Sequence, residues 1–122
     1  MDQALTALIE DLENRGLDQR VLVLLAGEFG RTPRIRMHMG VPGRDHWGAV
    51  QTAVFAGAGT ATGHVIGASD RIGGYPIADP QTPENLGATI YRALGLPSTV
   101  AWHDKFNRPH QVYHDEPIEG LL

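Results

Sequence analysis

Cysteine is absent from the 122 residues, which removes disulfides and thiolate metal sites and leaves the compartment open. No apolar run approaches the roughly 20 residues that a membrane-crossing helix needs. The N-terminus is acidic and amphipathic and lacks the basic-then-apolar layout of a secretory signal. As written, the chain is expected in the cytoplasm, with export of longer relatives left open. Positive charge is also short overall: Lys+Arg 10 against Asp+Glu 14 gives −4 with neutral histidines, which argues against a nucleic-acid backbone as partner. Glycine and proline are nearly missing from the first 26 residues, where Gly16 stands alone, so the 8 prolines and the other glycines make the remainder loop-rich.

What is present is globular in kind. With 42% hydrophobic and 20% charged residues the chain sits near the soluble average, and its length suits a single domain or a fragment of one. A compact chain of this size buries roughly 65–70% of its unfolded surface. Residues 1–26 read as a helix followed by a buried strand. Leu5, Leu8, Ile9 and Leu12 follow the i, i+3, i+4, i+7 spacing of one helix face, with Asp2 as cap and Gly16 as stop. Val21 to Ala26 is continuously apolar, as expected of a strand covered on both faces in a parallel sheet. The fold class expected is therefore α/β, with a mostly parallel sheet.

Residues 27–48 hold Pro33, Pro42 and five glycines without sustained periodicity, and read as a loop of the active-site type. In residues 49–97 the spacing predicts a strand over Ala49–Ala56, a glycine turn, a short edge strand over Gly63–Gly67, an irregular stretch to 81 and then a helix. Thr82-Pro83-Glu84 supplies that helix with a cap, a proline at its first position and a carboxylate near its positive end. Leu86, Ile90 and Leu94 mark its apolar face, and Gly95 its stop. Residues 98–122 read as an irregular polar tail.

The chemistry concentrates in 27–48. Glu28, Asp45 and His46 are candidate ligands for a divalent metal, offering carboxylate oxygens and an imidazole nitrogen. Because Asp45 and His46 are adjacent, one of them is expected to orient the other rather than bind directly. The plainer reading pairs Glu28 and Asp45 with Arg31 and Arg44 as surface ion pairs. Arg31 and Arg44 carry forked donors that match phosphate, sulfate or carboxylate oxygens, whereas Arg34 and Arg36 alternate as solvated charges do. Gly57-x-Gly59-x-x-x-Gly63 has the third glycine displaced from a dinucleotide fingerprint and opens onto no helix, so a tight turn explains it better. His64, His103, His110 and His114 share no metal-ligand spacing, and Trp47 and Trp102 suit core or pocket walls.

Three segments carry a family resemblance: Glu28-Phe-Gly-Arg-Thr-Pro-Arg-Ile, Gly43-Arg-Asp-His-Trp and Val65-Ile-Gly-Ala-Ser-Asp. Thr82-Pro-Glu-Asn-Leu-Gly-Ala-Thr-Ile-Tyr, Ala93-Leu-Gly-Leu and Glu116-Pro-Ile-Glu-Gly-Leu-Leu extend it. The chain resembles the C-terminal part of the DUF1501 proteins, a bacterial family abundant in planctomycetes and placed in the alkaline phosphatase and sulfatase superfamily. The resemblance implies an α/β/α sandwich with divalent ions (Zn, Ca, Mg or Mn) at the strand ends. It also implies an N-terminal Ser or Thr nucleophile and hydrolysis of small anionic phosphate or sulfate esters. On it, Glu28 and His46 stand at metal-ligand positions, while Phe29 stands where an imidazole ligand belongs. No nucleophile-bearing strand precedes the helix, so the resemblance implies a C-terminal fragment, inactive alone, that pairs as a homo-oligomer or with a complementing N-terminal chain. A non-catalytic binding or assembly domain of the same fold is the alternative, which Phe29 favours.

Overall fold

The computed structural model describes residues 2–122 and contains two helices and ten short strands. Helix α1 spans Asp2–Asn14 and α2 spans Pro83–Ala93. Both end as glycine permits. Gly16 (φ 65°) and Gly95 (φ 78°) take the left-handed conformation. Beyond them the N–H of Leu17 reaches the carbonyl of Leu12, and that of Leu96 reaches Tyr91, the bonding of a Schellman stop. Thr82 caps α2 as expected, its hydroxyl accepting from the Asn85 N–H while the Asn85 side chain accepts from the Thr82 N–H.

The first strand, β1 (Val23–Ala26), pairs with β6 (Ala53–Ala56) in antiparallel register, Val23 opposite Ala56 and Ala26 opposite Ala53. Every pairing among the described residues is antiparallel, and the sheets are five separate two-stranded ribbons. Among the described residues β1 has this antiparallel neighbour and no parallel one. Its residues Val23, Leu24 and Leu25 are only half-buried and Ala26 is exposed. The turn after β6 is a run of left-handed residues, Gly57 (φ 80°), Ala58 (φ 50°) and Gly59 (φ 79°), in which Gly57 cannot be replaced, because a Cβ there would lie 2.2 Å from the Val21 carbonyl oxygen.

The loop read over 27–48 is more ordered than its composition suggests, forming β2 (Gly30–Arg31), β3 (Arg36–His38), β4 (Val41–Gly43) and β5 (His46–Trp47). The edge strand expected over 63–67 is displaced to β7 (Ala68–Ser69), which pairs with β8 (Pro76–Ala78) inside the stretch read as irregular. Asp70 explains the shift: its carboxylate accepts from the N–H groups of Ile72, Gly74 and Tyr75 and closes the turn that joins these strands. The tail contains a further hairpin, β9 (Ala101–His103) against β10 (Pro109–Gln111). Here Asp104 plays the corresponding part, accepting from the Phe106 and Arg108 N–H groups.

The core is small. Ala88 and Ile118 are the buried apolar residues among those described, and Thr89 is the buried polar one. The apolar faces read from the sequence are only partly used: Leu5, Ile9, Leu12, Leu86 and Ile90 are half-buried, while Leu8 and Leu94 are exposed. Total accessible surface is 9391 Å² for a 13.2 kDa chain, against about 6,400 Å² for a compact monomer of that mass. The chain covers about half of its unfolded surface rather than two thirds.

Candidate functional site

The Gly27–Trp47 segment folds by closing on itself. β2 and β5 pair with Gly30 opposite Trp47 and Arg31 opposite His46. One step outward, the Thr32 N–H donates to the Asp45 carbonyl (2.9 Å) and the Asp45 N–H donates to the Thr32 hydroxyl (3.1 Å). Gly30 permits the closure: a Cβ there would fall 1.7 Å from the Val50 carbonyl oxygen, so no other residue fits without moving the backbone. The β3–β4 hairpin projects from this closed base, turning at Met39 (φ 49°) and Gly40 (φ 81°).

Two further contacts bring the third sequence motif to the same place. The Trp47 Nε1–H donates to the Gly74 carbonyl at 2.6 Å, and the Trp47 ring meets Tyr75 edge-on at 5.4 Å between centroids. A Cβ on Gly74 would lie 3.5 Å from the Pro33 side chain. The Gly-Arg-Thr-Pro, Asp-His-Trp and Ser-Asp segments therefore form one unit, with Asp70 as a structural carboxylate whose bonds all run to backbone N–H groups.

On this unit the Phe29 ring lies against the His46 imidazole, centroids 4.0 Å apart and planes tilted by 37°, and the Arg31 guanidinium stands 5.6 Å from the Phe29 centroid. Arg31, Phe29 and His46 are thus one contiguous patch, with Arg31 and His46 exposed. Glu28, Arg44 and Asp45 are exposed as well. Neither carboxylate is ion-paired with Arg31 or Arg44 among the described residues, so the surface-pair reading does not account for them.

A divalent ion requires several donors turned to one point. Among the described residues no group of three or more His, Asp or Glu side chains is gathered for this. The ring that lies against His46 is the phenyl of Phe29, which has no lone pair to give. Glu28, Asp45 and His46 do not by themselves fit a complete metal centre. What the patch does offer is an exposed guanidinium beside an imidazole, a pair suited to oxyanion oxygens.

The β9–β10 hairpin carries a second feature that spacing did not reveal. Trp102 and His110, directly opposite in register, stack at 4.7 Å and line an open concavity of about 740 Å³ with His114, Gln111 and Thr99. His110 Nε2 also lies 3.5 Å from the Asp104 carboxylate. The period-2 run around Trp102 was the available signal, but it is only three residues long. None of the Gly27–Trp47 residues contributes to that concavity.

A family profile described as "Protein of unknown function (DUF1501)" matches residues 1–122. No curated protein and no solved structure matches the chain.

Proposed function

The chain belongs to the DUF1501 family, and on that footing we propose that it supplies the anion-recognising side of a hydrolase-type site for phosphate or sulfate esters. In this reading it is the late portion of an alkaline-phosphatase-like α/β/α domain, completed by a polypeptide layer that bears the Ser or Thr nucleophile. The observation that carries the reading is the placement of Arg31 directly opposite His46 on an exposed patch closed at its base by Thr32 and Asp45. Arg31 offers two parallel N–H donors to ester oxygens, and the His46 imidazole a donor or acceptor beside them. Arg44, one residue before Asp45, adds positive charge at the rim. The large uncovered surface supports a completing layer.

The test is titration of inorganic phosphate and inorganic sulfate against the chain, followed by the amide and imidazole resonances of Arg31 and His46. Binding that is lost in Arg31→Ala is expected; binding that persists unchanged removes the patch as the anion site. Turnover of an aryl phosphate or aryl sulfate by the chain alone would overturn the need for a second layer. The neighbouring possibility of a metal contribution is settled by metal analysis of a Glu28→Ala, His46→Ala variant, where content equal to that of the parent chain excludes it.

A second reading, a non-catalytic binding or assembly domain of the same fold, is favoured by one observation. The ring packed against His46 is that of Phe29, which has no lone pair to offer a metal. It predicts anion binding without turnover even when the completing layer is present.

A further inference from the structure

The β3–β4 hairpin and helix α1 are opposite in charge, both show apolar side chains to solvent, and among the described residues they share no extensive packing. Residues 31–44 contain Arg31, Arg34, Arg36 and Arg44 and no acidic residue. Met37 and Pro42 share one face of the hairpin, with Ile35 two positions earlier on the same side. Ile35, Met37, Met39 and Val41 are 69%, 68%, 92% and 66% exposed. Exposure of that order in four neighbouring apolar residues marks an interaction surface rather than chance. Methionine adapts its shape to whatever it meets.

Helix α1 is the complement. It holds Asp2, Glu10, Asp11 and Glu13 and no basic residue. Its apolar stripe of Leu5, Leu8, Ile9 and Leu12 has no buried member. Carboxylates flank that stripe on both sides, Asp11 three residues beyond Leu8 and Glu13 four beyond Ile9, spacings that make neighbours on a helix surface. Arg15, just past the helix, holds Asp11 at 2.9 Å and leaves Glu10 and Glu13 outside the ion pairing of that turn.

We propose that the Met37–Met39 hairpin of one copy seats on the α1 stripe of a second copy, and reciprocally, forming a two-fold dimer. A two-fold contact uses the same two patches twice, so each patch finds its complement without further surface. A standard interface needs about 800 Å² from each partner. The chain exposes about 3,000 Å² beyond a compact monomer of its mass, enough for this contact with surface to spare. Charge across the contact sets the register and the partner, while the apolar side chains supply the burial.

Sedimentation of the chain over a range of concentrations and salt tests the proposal. A dimer of twice the 13.2 kDa chain mass is expected, weakened as salt rises. Arg34→Glu, Arg36→Glu in one variant and Asp11→Lys, Glu13→Lys in another each place like charges at both contacts. Each is expected to weaken dimerisation by at least about tenfold. Mixing the two variants restores attraction at both contacts, so two chains that are monomeric apart should dimerise together. All four positions are exposed, and lysines near the end of α1 agree with its dipole, so helicity by circular dichroism should match the parent chain. A parent chain that stays monomeric overturns the proposal. So does a dimer indifferent to both reversals, or well-folded variants that fail to associate when mixed. Each outcome is independent of anion binding at Arg31.

Discussion

Phe29 and His46 face one another at 4.0 Å, ring to ring, across the closed base of the Gly27–Trp47 unit. An imidazole at position 29 brings a second set of ring nitrogens beside those of His46, and a cation held in the plane of both rings would make Zn–N bonds of about 2.0–2.1 Å. Phe29→His is therefore expected to create a divalent site from the introduced imidazole, His46 and the adjoining Glu28. The variant should take up Co²⁺ with a visible absorption band that the parent chain lacks. An identical spectrum for both would place Glu28 or His46 out of reach of a shared ion.

Gly30→Ala should unzip this unit. The added methyl meets the Val50 carbonyl oxygen at 1.7 Å and its carbon at 2.9 Å, and backbone on both sides leaves no flexible atom to yield. A loss of about 1–3 kcal/mol or more is expected in urea unfolding followed by Trp47 fluorescence. Gly48→Ala, where a Cβ meets nothing within 4 Å, is the control and should change stability by less than about 0.5 kcal/mol.

Thr89 ties the end of the chain to α2. Its hydroxyl donates to the Asn85 carbonyl at 2.7 Å and accepts from the Ile118 N–H at 2.8 Å in the one fully buried polar position described. Thr89→Val keeps the shape and strands that N–H, costing about 1–3 kcal/mol. Thr89→Ser retains the bond and should cost less. Amide exchange at Ile118 reads the difference directly, fast in Val and slow in Ser.

Asp104 makes the β9–β10 hairpin sensitive to acid. Its pKa lies below the ordinary 3.8, chiefly through the Arg108 backbone N–H, with the Arg108 guanidinium, the Phe106 N–H and His110 adding to this against a desolvation effect of opposite sign. A depressed carboxylate favours the folded hairpin above the ordinary aspartate value, and that contribution is lost as pH falls through the lowered one. Trp102 is stacked on His110, so its fluorescence should change in an acid step below the ordinary value. Asp104→Asn should abolish the step.

Local signals were legible in the sequence wherever a few adjacent residues decide the outcome. Thr82-Pro83-Glu84 and Gly95 bracket α2 because caps act over a single turn. Gly57 to Gly59 is the turn its composition implies. Pairing was not legible, because it depends on which strand arrives beside which. The apolar run at Val21–Ala26 reads as an inner parallel strand, and among the described residues β1 pairs with the antiparallel β6. The order within 27–48 was hidden for a different reason. It rests on Gly30 passing under Val50 and on a threonine hydroxyl thirteen residues from the amide it serves, and neither has a periodic signature. Residue type singles out Glu28, Arg31, Asp45 and His46, but the Phe29 ring against His46 and the Trp47 bond to Gly74 are properties of the fold.

The paired bonds between Thr32 and Asp45 separate what lies inside them from what lies outside. Residues 35–43 leave and return through a fastened neck, so changes in their length and sequence leave Arg31 and His46 in position. Selection can rewrite the projecting arm for new company without disturbing the patch at its root, and an engineer can replace it with a loop of choice at the same two points.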